Sequence, residues 1–181
     1  MALCTALEAA NYLVYLTQGA LDDLSNMKLN KLLYFAQGHC LKQTGHVLFD
    51  DTIEAWDHGT IIYDVYKKYQ RFDNAPITAF DAEEAKKMPQ EAITILIDTV
   101  REYGKYTAVA LRNMTHAQKS PWDLSYKKGQ MRVPIEVELI RDYFCKHEKP
   151  IDDLQIALDS SDFIGYRDSE GYLVLPKEWD E

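Results

Sequence analysis

The chain has 181 residues, of which 46% are hydrophobic, so it can bury one folded core and is not a wholly disordered protein. Its net charge of -9 argues against the broad basic surface of most nucleic-acid binders and favours attraction to basic partners. The 3 cysteines form no CxxC pair, no basic start of a signal peptide precedes the first apolar stretch, and no apolar run is long enough to span a membrane. We therefore expect a cytoplasmic protein with no membrane contact and no cofactor.

Helical periodicity dominates the sequence and predicts a mainly α, compact multi-helix fold. A first helix is expected near the N-terminus and should end by Gly19, because the apolar residues there share one helical face. These residues are Leu3, Leu7, Ala10, Val14 and Thr17. Further helices are predicted at about residues 61–69, 91–103, 107–114 and 134–149. The last one is expected to begin at Pro134, since proline suits the first helical turn.

A second helix is predicted from about residue 27 to residue 41, with Ser25 or Asn26 as its N-cap. Its apolar side chains have helical spacing and should lie mainly in the core. They include Leu29, Leu32, Leu33 and Phe35. Lys28 and Lys31 are expected on the polar side of this helix, as solvated charges.

Two segments are predicted to be extended. The first is a short stretch near residues 53–56, and the second is a C-terminal β-hairpin in which residues 163–167 and 171–175 flank a polar loop. Because a lone hairpin is only marginally stable in water, it should pack on the helical body or on a partner. The sequence thus predicts a helical domain of residues 1–149 and a C-terminal extension of residues 150–181.

Three blocks of sequence follow one another in a specific order. The first is MKLNKLLYFAQG at residues 27–38, the second is IEAWDHGTI at residues 53–61 with Leu48-Phe49 before it, and the third is THAQKSPW at residues 115–122. Together they resemble the Panacea antitoxin family, also called SocA-like or GepA-type proteins. Asn30 and Thr60 stand where the family more often has Gln and Pro.

The resemblance implies a function in protein binding rather than catalysis. Members of the family are similar to antitoxins that neutralise unrelated toxins by direct contact and are encoded beside them, often in phage. In SocA-like members the antitoxin can also present the toxin to a AAA+ protease. The resemblance therefore implies that the partner is a cognate toxin. It leaves one alternative, in which the protein is a proteolytic adaptor that binds both the toxin and a AAA+ protease.

The segment Trp56-Asp57-His58-Gly59 has two interpretations. It is either a tight turn that places Trp56 in the core, or the exposed edge of a binding surface, because Trp and Tyr are frequent interface anchors. The candidates for partner binding are Trp56, His58, Tyr63, Tyr66, His116 and Trp122. Acidic residues of the C-terminal extension are expected to steer a basic partner by charge. They are Asp152, Asp153, Asp159 and Asp162.

His116 could serve as a catalytic base, but no serine or cysteine nucleophile motif accompanies it, so a structural histidine with satisfied hydrogen bonds is favoured. The 5 histidines lack the spacing of a metal motif, and no catalytic, cofactor-binding or metal-binding residue is predicted. An enzyme that uses His116 or His58 is kept as an alternative. An operator-binding regulator is a further alternative, and the acidic charge of the chain disfavours it.

Overall fold

A computed structural model describes residues 2–18, 21, 23–130 and 132–146, together with the backbone of residues 166–167 and 173–174. The chain divides into two compact units, Met1–Ile151 and Asp152–Glu181. In the described part of the first unit, helices predominate, which confirms the mainly α prediction. They are α1 (Ala6–Leu16), α2 (Asn26–Thr44), α3 (Tyr63–Tyr69), α4 (Ala82–Ala85), α5 (Gln90–Tyr103), α6 (Ala108–Thr115), α7 (Pro121–Ser125) and α8 (Val137–Lys146), with a 3₁₀ turn at Gln70–Phe72.

Local capping fixes where the first two helices begin. Thr5 and Glu8 form a reciprocal capping box at the start of α1, and the Thr5 amide donates to Glu8 Oε2 at 2.7 Å. At the start of α2, Ser25 Oγ accepts from the Lys28 amide, as one of the two predicted caps should. The helix α2 ends at Gly45, whose φ of 76° is the left-handed conformation that glycine adopts without strain.

The helix α2 is the centre of the first unit and packs against α1, α3, α5, α6, α8 and one strand. Its predicted core residues are fully buried, which confirms that part of the prediction. The expectation that Lys28 and Lys31 are solvated is wrong, because their exposed fractions are only 1% and 0%. Periodicity within one helix indicates which side is apolar, but it gives no information on whether other elements also cover the polar side.

A three-stranded antiparallel sheet lies against α2. It consists of β1 (Glu54–Trp56), β2 (Gly59–Ile61) and β3 (Val133–Pro134), in the order β2-β1-β3. The strand β1 confirms the extended segment predicted near residues 53–56. Pro134 was expected in the first turn of a helix, but it pairs with Glu54 in an edge strand, and α8 begins at Val137. An edge strand tolerates proline because one side of it needs no amide donor.

The second unit contains a short antiparallel pair, β4 (Tyr166–Arg167) and β5 (Leu173–Val174). Tyr166 is opposite Val174 and Arg167 is opposite Leu173, which confirms the predicted C-terminal hairpin. The expected boundary between residues 149 and 150 lies outside the described residues. The acidic residues of the extension also lie outside them.

Candidate protein-interaction site

The turn between β1 and β2 rests directly on α2 and α6. Gly59 has a φ of 100°, and a Cβ at this position would lie 2.9 Å from Lys31 Cε and 3.0 Å from Thr115 Oγ1. Glycine is therefore required both by the backbone conformation and by the lack of space. The neighbouring residues Asp57 and His58 are exposed, so the turn presents its polar tip to solvent.

Three half-exposed aromatic side chains form a continuous surface beside this turn. The Trp56 ring lies 5.4 Å from the Tyr66 ring and 6.4 Å from the Tyr63 ring, measured between centroids. We call Trp56, Tyr63 and Tyr66 the aromatic face. The indole N–H of Trp56 donates to Glu54 Oε2 at 2.8 Å, which fixes the orientation of the ring. Trp56 is therefore only partly in the core, and its exposed part belongs to this surface.

An ion pair between Glu54 and Arg132 supports the aromatic face. The carboxylate of Glu54 is buried, with 6% of the residue exposed, and it accepts hydrogen bonds from Nε and Nη2 of Arg132. The Arg132 guanidinium also lies over the Tyr63 ring, 4.0 Å from its centroid. Sequence reasoning missed this pair, because Glu54 lies in the second sequence block but Arg132 is 78 positions away and belongs to no block.

Trp122 connects the third sequence block to the turn. Its ring stacks between His116, at 3.5 Å, and Tyr126, at 4.5 Å. The indole N–H of Trp122 donates to the Trp56 carbonyl at 2.8 Å, and the Tyr126 hydroxyl donates to Asp57 Oδ1 at 2.8 Å. Since only 9% of Trp122 is exposed, this residue holds the turn in place more than it offers a surface.

Basic side chains converge at the turn, and we call Lys31, His58, Arg112 and His116 the basic cluster. Lys31 is buried under Gly59, whereas His58 lies on the exposed tip. Burial, followed by the charge of Arg112, lowers the pKa of Lys31 to about 7. Burial also lowers the pKa of His116 to about 3, with further repulsion from Arg112, Lys31 and His58. The pKa of His58 is lowered by burial and by Arg112, although Asp57 opposes this change.

Residues 29–123 match the family described as Antitoxin SocA-like, Panacea domain. The chain belongs to this family. All six predicted partner-binding residues lie inside the matched segment, residues 29–123, and the fold brings them together around the β1–β2 turn. Tyr126 and Arg132, which the sequence analysis missed, lie just beyond the end of that segment.

The chain is also similar to Antitoxin SocA of Caulobacter vibrioides (strain NA1000 / CB15N). The two are 30% identical over 119 residues, which is 58% of this chain and 62% of that protein. The match therefore spans less than two thirds of the relative. No solved structure matches the chain.

His116 is poorly suited to act as a catalytic base. His116 was expected to be a histidine with satisfied hydrogen bonds, but its Nε2 is buried and has no hydrogen-bond partner among the residues that the structure describes. With a pKa of about 3, His116 is also a poor proton acceptor near neutral pH. Among the described residues, no group of His, Cys, Asp and Glu side chains could hold a metal ion, and no helix is long and apolar enough to cross a membrane.

Proposed function

We propose that this Panacea protein is an antitoxin that neutralises a cognate toxin by direct protein–protein binding. The family to which the chain belongs supports an antitoxin role in general. The aromatic face then supplies the contact surface for the toxin. This assignment makes binding, and not turnover of a substrate, the activity of the site around the β1–β2 turn.

The observation that carries the proposal is the fixed orientation of half-exposed aromatic rings. Large aromatic side chains dominate the binding energy of many interfaces, and rings that are already ordered lose less entropy on binding. The orientation of Trp56 is fixed by Glu54, and Arg132 lies against both Glu54 and Tyr63. The surface is therefore ready for a partner without rearrangement.

Leu124 is an exposed apolar side chain two residues after Trp122 in the sequence. It is 59% exposed and lies on α7, the short helix that also carries Trp122. An apolar side chain with that exposure contributes little to the core, but it gains free energy when a partner removes it from water. We place Leu124 at the rim of the toxin contact.

Co-expression with the product of the neighbouring gene tests the proposal. We expect that product to stop growth when it is expressed alone, and growth to return when the Panacea protein is present. Trp56→Ala should lose the rescue. Tyr15→Ala, a half-buried tyrosine that contacts Phe80 instead, should retain it and serves as the matched control. A harmless neighbouring product, or a toxic one that wild-type protein does not neutralise, would refute the antitoxin function.

The adaptor alternative shares the binding step and adds delivery of the toxin to a AAA+ protease. Measurement of the toxin's lifetime in the cell, with and without the Panacea protein, separates the two mechanisms. Direct neutralisation leaves that lifetime unchanged or longer, because the toxin is protected by its partner. A shortened lifetime would assign the protein to the adaptor mechanism.

A further inference from the structure

Two buried lysines on α2 have very different surroundings. Lys28 Nζ donates to Asp23 Oδ1 at 2.6 Å and to the Gly104 carbonyl at 2.8 Å, so its charge is paired. Lys31 Nζ donates to the Thr60 carbonyl at 3.0 Å, and among the described residues no carboxylate lies within ion-pair distance of it. A fully buried ammonium without a counter-charge is unfavourable, so the position of Lys31 requires an explanation.

Buried polar atoms on the elements that pack around Lys31 also lack partners. Within the described part of the chain, the buried atoms Thr60 Oγ1, Asn113 Nδ2 and His116 Nε2 make no hydrogen bond. Thr60 is 0% exposed, so bulk solvent does not satisfy its hydroxyl. Each of these atoms can donate a hydrogen bond, as can the two remaining protons of the Lys31 ammonium. Thr60 Oγ1 and, in one tautomer, His116 Nε2 can also accept, so what this region lacks among the described residues is a negative charge within ion-pair distance of the ammonium.

The fold brings these donors together from three directions. Lys31 comes from α2, Thr60 from β2, and Asn113 and His116 from α6 and its C-terminal end, and these three elements pack against one another. Arg112 and His58 lie close enough to repel the charge of His116. His116 stacks on Trp122, whose indole N–H in turn binds Trp56, so the donors lie beside the aromatic face.

We propose that the basic cluster, together with Thr60 and Asn113, is a receptor for one carboxylate, presented by an aspartate or glutamate side chain of the bound partner protein. This inference rests on the proposed function, because it assigns an anchor to the same interface. The carboxylate accepts from Lys31 and from the donors around it, and it supplies the counter-charge that the described residues do not provide for Lys31.

The chemistry of the site favours a carboxylate over a nucleic-acid phosphate. Lys31 is 0% exposed and lies under the backbone of Gly59, so a small group at the end of a side chain needs less displacement of the turn to reach its amine than a nucleic-acid backbone does. The net charge of -9 repels a polyanion, whereas a single acidic side chain can be presented within a protein contact. Among the described residues, the titratable groups whose charges act on Lys31, His58 and His116 include Arg112, the other members of the cluster and Asp57.

Side-chain NMR of isotope-labelled lysines, with acetate as the probe, tests the receptor on the wild-type protein. Acetate should shift the Lys31 signal saturably and raise its pKa, while the Lys28 signal stays in place because Asp23 already pairs it. Binding of the anion requires a proton on Lys31, so acetate should bind more weakly as the pH rises through about 7, the pKa of Lys31. No response to acetate, a response to inorganic phosphate alone, or equal responses of the two lysines would overturn the proposal.

Substitutions in the basic cluster test whether the carboxylate receptor contributes to binding of the partner protein. Lys31→Met and His116→Phe should weaken binding of the neighbouring gene's product by roughly 30-fold or more, because each removes a donor from a buried charge contact while His116→Phe keeps an aromatic ring against Trp122. Lys28→Met removes an equally buried amine and should change that affinity by less than about threefold. Tight binding by wild type with unchanged affinity in both cluster variants refutes the carboxylate receptor alone. Absence of binding by wild-type protein refutes the proposed function instead.

Discussion

Lys31 keeps a basic group in a place where proteins normally bury an apolar one. Its amine contacts the Thr60 carbonyl and lies under Gly59, and burial lowers its pKa from the ordinary 10.5 to about 7. Each pKa unit corresponds to about 1.4 kcal/mol, so the protonated amine costs the folded state several kcal/mol. Because this charge destabilises the folded protein, we assign Lys31 a role in binding rather than in stability.

Substitution of Lys31 by methionine should make the protein more stable below neutral pH. Between about pH 7 and 10.5 the unfolded chain binds more protons at this position than the folded chain, so wild-type stability increases with pH across that window. Lys31→Met lacks this dependence and loses only the hydrogen bond to Thr60, worth about 1 kcal/mol. Its thermal midpoint should exceed that of wild type near pH 6, and the difference should shrink towards pH 9.

The thermal midpoints of Lys28→Met at the same two pH values provide the comparison. Lys28 already has a carboxylate and a carbonyl as partners, so its loss should destabilise the protein at both pH values. If Lys31→Met is less stable than wild type by the same amount at both pH values, the uncompensated charge described here does not exist.

At the scale of elements, α2 organises the site through polar side chains as well as apolar ones. Asn30 Oδ1 accepts from the Ile62 amide, and Gln37 Oε1 accepts from the amides of Leu48 and Phe49. These bonds attach to α2 both the segment before the sheet and the segment that leads into α3. The sequence block at residues 27–38 therefore combines core leucines with amides that position the binding surface.

Gly38 allows α2 and α8 to approach closely. A Cβ at this position would overlap the ring of Phe144, which also packs against Tyr34. Gly38→Ala should therefore destabilise the protein by about 1–3 kcal/mol, measured by denaturant unfolding. Gly45→Ala is the control: it has open space but a φ of 76°, so it should cost about 1 kcal/mol. An equal loss in both variants would mean that the packing of α8 on α2 is not tight.

Sequence patterns could predict elements whose determinants are local. The apolar spacing of α2 and α5 and the cap at Ser25 were sufficient to locate those helices. The strand at Pro134 and the burial of Lys31 could not be predicted, because both depend on contacts with distant parts of the chain. A first-turn proline and an edge-strand proline look alike in sequence, and so do an exposed and a buried lysine.

The candidate site was predicted in part. The residues Trp56, Tyr63 and Tyr66 were named from their type and their sequence block, and the structure places their rings together. Arg132 and Arg112 belong to no block and were missed. The donors that lack partners could be found only from the assembled fold, because satisfaction of a buried polar atom is a property of its neighbours in space.

At the scale of the whole molecule, charge should affect the rate of association more than the strength of the complex. Reversal of Asp152 and Asp153 to lysine should slow association with a basic toxin several-fold at low salt and leave dissociation nearly unchanged. The difference should disappear in high salt, where exposed charges are screened. Stopped-flow association at two salt concentrations measures this effect. Loss of binding on deletion of residues 149–181 would instead move the contact to the C-terminal extension.

The dissociation constant of the Panacea protein and the neighbouring gene's product, measured by calorimetry on purified variants, tests the central claim most directly. Trp56→Ala and Tyr66→Ala should each weaken binding by roughly 30-fold or more, as expected for interface anchors, while Tyr15→Ala binds like wild type. All three variants should retain the wild-type circular dichroism spectrum. Wild-type affinity in folded Trp56→Ala and Tyr66→Ala proteins would contradict the assignment of the aromatic face as the toxin-binding surface.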